Sequence, residues 1–463
     1  MRSSLVAGAL FASVVLSACS PASDEPAPST YQVPVSYHTL DNGLRVVLSQ
    51  DKTAPTVVVA VYYNIGFRNE PRDRTGFAHL FEHMMFQGSE NLGKMEFVSL
   101  VQNNGGVLNG STRFDFTNYF QIVPAHKLET MLWAEADRMR GLAVTQENLV
   151  NQQDVVKNEV RVNVLNQPYG GFPWLDMPQY ANENWQNAHN FYGELTDLEA
   201  ATLEDVQAFF DTFYAPNNAV VVIVGDFEEA PALELVGQYF GDIPPSELPA
   251  MPDLTEPRQT TEKRASKTDN LAQRPALAFA YHMPDRNTPE YYAMGLIDQI
   301  LLQGDDSRIR QAIVKERGMT GSVDGGINLL GNMFNYNGPM LWMGSLFHDS
   351  NVPADSIIAA LDSVLIDLAT NPVDQETLDR AVVKMRSNLY DAAGGFFGFG
   401  RADLLASFAL FDNDPARINA LEDEFRKVTP DIILQTAQEY LRASNRTVLT
   451  VEPTFETPQK PAG

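Results

Sequence analysis

The spacing of apolar residues changes period several times along the first half of this chain. Residues 43–50 and 56–65 are short runs dense in Val, Leu and Tyr, bounded by Asp41-Asn42-Gly43 and Asp51-Lys52, and they predict two strands. Over 75–87 the apolar positions take up helical spacing. Asn103-Asn104-Gly105-Gly106 marks a turn, and 107–111 with 115–123 predict a strand pair after it. Helical patterns fill 125–140 and 146–165. A further helix over 203–214 leads through Asn217-Asn218 into a strand over 219–224.

From 244 to 267 apolar periodicity vanishes and Pro and charged residues dominate, which predicts an interdomain linker, assigned to 246–272. The second half then repeats the first in outline. A helix, Ser444-Asn445 and a strand over 447–451 parallel the helix, Asn217-Asn218 and strand of the first half, at an offset of 227 residues (Thr429 against Thr202). Residues 276–281 match the early strands, and 291–302 with 308–316 match the helices after them. The order implies one fold duplicated within the chain.

At 463 residues, 44% hydrophobic and 20% charged, the chain suits two to three globular domains with large cores. Its net charge of −26 argues against nucleic acid and against a basic membrane-binding patch, and suits cationic peptides as ligands. Arg2 followed by an apolar stretch over 5–16 reads as a targeting segment, too short to cross a bilayer as a mature helix. Leu16-Ser17-Ala18-Cys19 follows and resembles the lipobox of bacterial lipoproteins. The expectation is a signal peptide over 1–18, lipid on Cys19, a Pro-, Ser- and Ala-rich tether over 19–34, and a periplasmic chain whose only membrane contact is that lipid. Ser20 after Cys19 favours the outer membrane by the usual sorting pattern. Cys19 is the sole cysteine, so neither an internal disulfide nor a Cys-ligated metal site is available.

His79-Leu80-Phe81-Glu82-His83 carries the chemistry. On a helix His79 and His83 lie one turn apart on one face, with Glu82 beside them. Two imidazoles at that spacing can chelate one zinc ion, and the carboxylate can take a proton from water. The flanks Gly76-Phe77-Ala78 and Met84-Met85-Phe86 are apolar, so burial without a partner would be costly, whereas paired core or surface histidines need no such setting. A catalytic zinc site wants a third protein ligand. Glu159 is a candidate because it interrupts an apolar stripe of Val155, Val156 and Val160. Asp115, Glu129, Glu135 and Asp137 compete for the role.

His79-x-x-Glu82-His83, then 75 intervening residues and Glu159, resembles the signature of the pitrilysin, insulysin and mitochondrial processing peptidase family of inverted-motif zinc metallopeptidases. Asn42-Gly43-Leu44-Arg45-Val46, Gly76-Phe77-Ala78-His79, Phe86-Gln87-Gly88-Ser89 and Asn166-Gln167-Pro168-Tyr169-Gly170 are similar to family segments, as are Ser307-Arg308 and Lys315-Glu316-Arg317-Gly318. The resemblance implies an α+β fold of two homologous domains, each a mainly antiparallel sheet packed with helices: a zinc-bearing domain over 35–245 and a second without a metal motif over 273–455. It implies one zinc on His79, His83 and Glu159, and Glu82 as general base. It further implies that Asn109, Gly110, Ser111 and Thr112 lie on an edge strand that pairs with the backbone of a peptide substrate.

Three positions, in two departures, differ from the family pattern. Gln152 stands where some members carry a Glu that supports the third ligand, and its amide is expected to orient that ligand by hydrogen bonding. Val314 and Gly321 stand where many active members carry an Arg and a Tyr that contact substrate. The expectation is a zinc endopeptidase for short or unfolded peptides, working as the zinc subunit with a second family subunit (or a second copy) that supplies the Arg/Tyr pair. The competing expectation is a catalytically silent, lipid-anchored scaffold or peptide-binding subunit. Zinc storage would need more ligands than the scattered His38, His126, His189, His282 and His348 offer.

Overall fold

Two twisted sheets, each built from one half of the chain, organise the protein. A computed structural model describes residues 32–454; Cys19, the targeting segment and most of the tether lie outside the described residues. The first sheet contains β1 (Ser36–Thr39), β2 (Arg45–Gln50), β3 (Thr56–Tyr63), β4 (Val107–Thr112), β5 (Thr117–Pro124) and β6 (Ala219–Gly225), in the order β1-β2-β6-β3-β5-β4. The second contains β7 (Lys263–Asp269), β8 (Ala276–His282), β9 (Asp324–Ile327), β10 (Leu341–Phe347) and β11 (Arg446–Pro453), in the order β7-β11-β8-β10-β9. In each sheet the strand from the end of the half inserts between two early ones, β6 between β2 and β3 and β11 between β7 and β8. The β2–β6 and β7–β11 pairs are parallel and all others antiparallel. Strand for strand, β2-β6-β3-β5-β4 thus corresponds to β7-β11-β8-β10-β9, and the duplication expected from the repeat is present in three dimensions.

The repeat extends to single hydrogen bonds. Thr202 caps the helix Leu203–Phe213 by accepting from Asp205 N, and Thr429 caps Pro430–Tyr440 by accepting from Ile432 N. Asn218 Nδ2 donates to Phe213 O at 2.9 Å and Asn445 Nδ2 to Tyr440 O at 2.7 Å, at positions 227 residues apart.

One expectation needs correction. Residues 263–269 fall in the predicted linker, yet they form β7, the counterpart of β2. The cause is its place in the sheet. β2 is covered on both edges, by β1 and β6, and is apolar (RVVLSQ), whereas β7 is an edge strand with alternating exposure and reads Lys-Arg-Ala-Ser-Lys-Thr-Asp. A charged edge blocks further strand pairing but carries no apolar signal. The short edge strand β1 is likewise absent from the sequence prediction.

Both faces of the sheets are apolar because both are covered. On β3, Val57, Val59, Val61 and Tyr63 pack under the helices of the first half: α1 (Phe77–Met84), α2 (Glu96–Asn103) and α3 (Leu128–Arg140), with α4 (Gln146–Val160). Val58, Ala60 and Tyr62 face the other way. There they meet Ala402, Leu405, Ala406 and Ala409 of the helix Phe399–Phe411, which comes from the second half. The exchange is mutual. Phe172, Met177 and Ala181 of the first half cover Ala276, Ala278 and Ala280 on the second sheet. Two-sided burial explains the continuous apolar runs of β3, β6 and β8.

Asp298, on the helix Pro289–Leu301, is a buried carboxyl under the second sheet. Trp342 Nε1 donates to it at 2.8 Å and Gln303 Nε2 at 3.3 Å, but burial outweighs these bonds and pushes its pKa up to about 6. The folded protein therefore holds this proton over a window, from about 4 to about 6, in which an unfolded chain has released it. The associated stability is present below that window and is lost as pH rises through about 6. Asp298→Asn keeps an acceptor for Trp342, so urea unfolding of that variant should lose less stability between pH 5 and 7 than the parent does. Equal losses would refute the assignment.

Candidate metal centre

The metal-type ligands sit on two helices whose starts are fixed by side-chain caps. Gly76 precedes α1 in the left-handed region (φ 81°), and the Glu70 carboxylate accepts from Gly76 N at 2.8 Å and Ala78 N at 2.6 Å. These bonds satisfy two amides that the helix cannot, at its positive end. Burial pushes the Glu70 carboxyl up, opposed by His189, whose Nε2 lies 3.7 Å away. Thr145 caps α4, accepting from Asn148 N at 3.2 Å. The predicted helix over 146–165 ends as an α-helix at Val160 and continues as a π-helical turn, Arg161–Leu165, so Glu159 lies beside the change of winding. Such turns concentrate at functional sites.

Phe77, Leu80, Phe81 and Met84 turn into the core, and His79, Glu82 and His83 lie together on the remaining face of α1. His79 Nε2 and His83 Nε2 are 3.4 Å apart. Glu159 Oε1 is 3.6 Å from His79 Nε2, and its Oε2 is 3.2 Å from His83 Nε2. Four ligands held tetrahedrally at about 2.0–2.1 Å from one ion are roughly 3.4 Å from each other, so the separations fit zinc. His79, His83 and Glu159 form the one group of three metal-type ligands that converge within 4.8 Å among the described residues.

The electrostatics agree with that fit. Burial lowers the His79 pKa, which keeps its lone pair free. Glu159 is held below the usual carboxylate range, chiefly by its hydrogen bond with His83, against partial burial. Tyr192, whose ring lies edge-on to His79 at 5.0 Å, has its phenol pushed up to about 12 by burial and by the Glu159 and Glu82 carboxylates.

Glu82 stands beside the donors and accepts from Thr112 Oγ1 at 2.8 Å. The four strand residues are therefore not alike. β4 is the terminal strand of the sheet, as expected, but Thr112 is buried and holds Glu82. Gly110 lies under it, where a Cβ would come 3.4 Å from Glu82 Cγ. Ser111 Oγ donates to Asn118 Oδ1 at 2.5 Å, and Asn109 is exposed, its side-chain oxygen accepting from Gly110 N.

The competitors of Glu159 are engaged elsewhere. Asp115 binds Arg68 and the amide of Asn337. Glu135 is buried against Arg138, Asp137 accepts from Ser89 and Asn91, and Glu129 accepts from Tyr239 on the surface. The stripe that nominated Glu159 is only part of the burial pattern, since Val156 and Val160 are buried and Val155 is exposed. Gln152 differs from expectation: its amide donates to Asn151 Oδ1 at 2.8 Å instead of to a ligand. Val314 packs on the apolar cluster that also contains Tyr192 and Val160, and open space surrounds the Cα of Gly321. Sequence reasoning missed Glu70, Tyr192 and the Thr112 contact. Tyr192 and Thr112 meet their partners from distant segments, and Glu70, only six and eight residues before the amides it caps, carries no spacing signal.

Residues 45–187 match the model of insulinase (peptidase family M16), and 200–385 match that of the peptidase M16 inactive domain. The chain belongs to peptidase family M16. The zinc protease PqqE of Helicobacter pylori is 25% identical over 430 residues, covering 90% of this chain and 92% of that protein. A probable mitochondrial-processing peptidase subunit beta of Arabidopsis thaliana is 24% identical over 205 residues, 44% of this chain and 38% of that one. The crystal structure of a protease from Helicobacter pylori shares the fold, with a TM-score of 0.82 at 24% identity over 91% of this chain and all of that one.

Proposed function

We propose that this chain is a zinc-dependent endopeptidase for short or unfolded peptides, acting as the zinc-bearing subunit of a two-subunit enzyme. The observation that carries the reading is the convergence of His79, His83 and Glu159 at separations of 3.2–3.6 Å with Glu82 beside them. When bound there, zinc supplies Lewis acidity toward a peptide carbonyl and toward water. Glu82 takes the proton of the attacking water and passes it to the leaving amine. The Thr112 hydroxyl holds one Glu82 oxygen, which leaves the other free for that proton. The free edge of β4 offers backbone groups to an extended substrate beside Glu82.

The second half contributes neither guanidinium nor phenol at Val314 and Gly321. A partner subunit carrying those groups completes the site in this reading, and one relative is itself named as a subunit. The test is cleavage of a fluorogenic peptide by the zinc-loaded chain, alone and with a candidate partner. Cleavage that needs the partner is the expected result. Cleavage by the chain alone would overturn the two-subunit part, and zinc binding without cleavage in either case would replace the reading with that of a silent peptide-binding subunit.

A further inference from the structure

The loop at 189–193 touches two of the three donors and is anchored to the helix that carries them. Gly193 (φ 70°) and Gly76 pack backbone on backbone: a Cβ on Gly193 would lie 2.2 Å from Gly76 N, and one on Gly76 would lie 2.5 Å from Tyr192 O. Asn190 Oδ1 accepts from Tyr192 N at 3.0 Å, and Glu194 N donates to Thr75 Oγ1 at 2.9 Å. His189 stacks on Trp185 beside Glu70, the cap of α1. Tyr192 therefore moves with the start of α1, while its side chain reaches Glu159 on α4.

Two observations show what the metal centre lacks without it. His79 Nδ1 is buried with no hydrogen-bond partner, so the imidazole is oriented by packing against Tyr192 and Phe191, with ring centroids 5.0 and 6.2 Å away. Glu159 is half-buried at the end of its α-helix, and the Gln152 amide, expected to steady it, is turned to Asn151. The Tyr192 hydroxyl and the Glu159 carboxylate act on each other, the phenol lowering the carboxyl and the carboxylate raising the phenol, and the Tyr192 ring packs on His79, whose Nε2 is 3.6 Å from Glu159 Oε1.

We propose that Tyr192 is the positioning residue of this centre: its hydroxyl donates to the Glu159 carboxylate and its ring fences His79, fixing the third ligand against the other two. A phenol suits the role because it is rigid, with two side-chain torsions, and donates without adding charge. Removing the outer partner of a metal ligand typically costs 10–100-fold in metal affinity. The inference rests on the metal reading of the three donors.

Tyr192→Phe deletes one oxygen and keeps the ring against His79. Zinc affinity, measured by competition with a chromophoric chelator, should fall by about 10-fold or more. The visible spectrum of the cobalt-substituted variant should shift, while thermal unfolding of the metal-free protein stays unchanged. Equal zinc affinity in variant and parent would overturn the role of Tyr192 and leave the metal site standing. Absence of zinc binding by the parent would instead sink the metal reading itself. Should the variant fail to fold, the parent decides alone: zinc addition should change its tyrosine ultraviolet difference spectrum, and an unchanged spectrum overturns the proposal.

Discussion

Glu82→Gln is expected to reduce kcat/KM for a peptide by about 10²–10⁴, the usual contribution of a positioned general base, while zinc binding persists. The variant isolates proton transfer because little else changes. Gln is nearly the same size and shape as Glu, and its side-chain oxygen can still accept from Thr112 Oγ1, now at 2.8 Å from the carboxylate. Glu82 is not one of the three converging donors, so their separations are preserved. What the amide cannot do is take a proton from water at neutral pH. Paired measurements are needed: zinc content, and single-turnover cleavage in the presence of the partner subunit. Full activity in Glu82→Gln with zinc bound would remove Glu82 from the mechanism. Loss of both zinc and activity would show instead that the carboxylate holds the site together.

The same site shows where sequence patterns speak and where they fall silent. His79, Glu82 and His83 were legible because their relation is local: a helix of fixed pitch places them on one face. The duplicated sheets were legible in outline because buried strands such as β3 and β6 write both faces in apolar residues. Edge strands write neither face strongly, so β7 was absorbed into a linker and β1 passed unseen. Glu159 stood as one carboxylate among five until the family resemblance selected it. Its competitors are excluded by partners up to hundreds of residues away, such as Asn337 for Asp115. Thr112 was expected only as part of a strand that offers its backbone to substrate; that the pleat turns its side chain inward, onto Glu82, was not foreseen. Tyr192 packs on His79 from a loop closed by two glycines in contact. Such contacts are products of the assembled fold, and no window along the chain contains them.

Asp115, one of those competitors, should prove the most costly single polar residue to remove. Its Oδ2 accepts from Arg68 Nη1 at 3.4 Å and from Asn337 N at 2.7 Å, and Arg68 Nη2 donates to Pro339 O. Arg68 and Asp115 belong to the first half, and the loop they grip belongs to the second. Both side chains are almost wholly buried, at 2% and 3% exposure, with the guanidinium 4.7 Å over the Phe114 ring. Asp115→Ala leaves a buried cation without its counter-charge and strands the Asn337 amide, at an expected cost of 3–5 kcal/mol in urea unfolding at neutral pH, the magnitude typical of breaking a buried pair from one side. The double variant Arg68→Met, Asp115→Leu removes both charges and should recover much of that loss, because desolvating the pair offsets much of its attraction. The distinction matters for how the halves are joined. If the apolar exchange of Phe399–Phe411 and the 172–181 segment dominates, the double variant unfolds cooperatively near the parent's denaturant midpoint. If the charged clasp dominates, the double variant stays as destabilised as Asp115→Ala, and with the single variant Arg68→Met the cycle returns a large coupling. A cost below about 1 kcal/mol for Asp115→Ala would refute the clasp altogether, since an unpaired buried guanidinium cannot be that cheap.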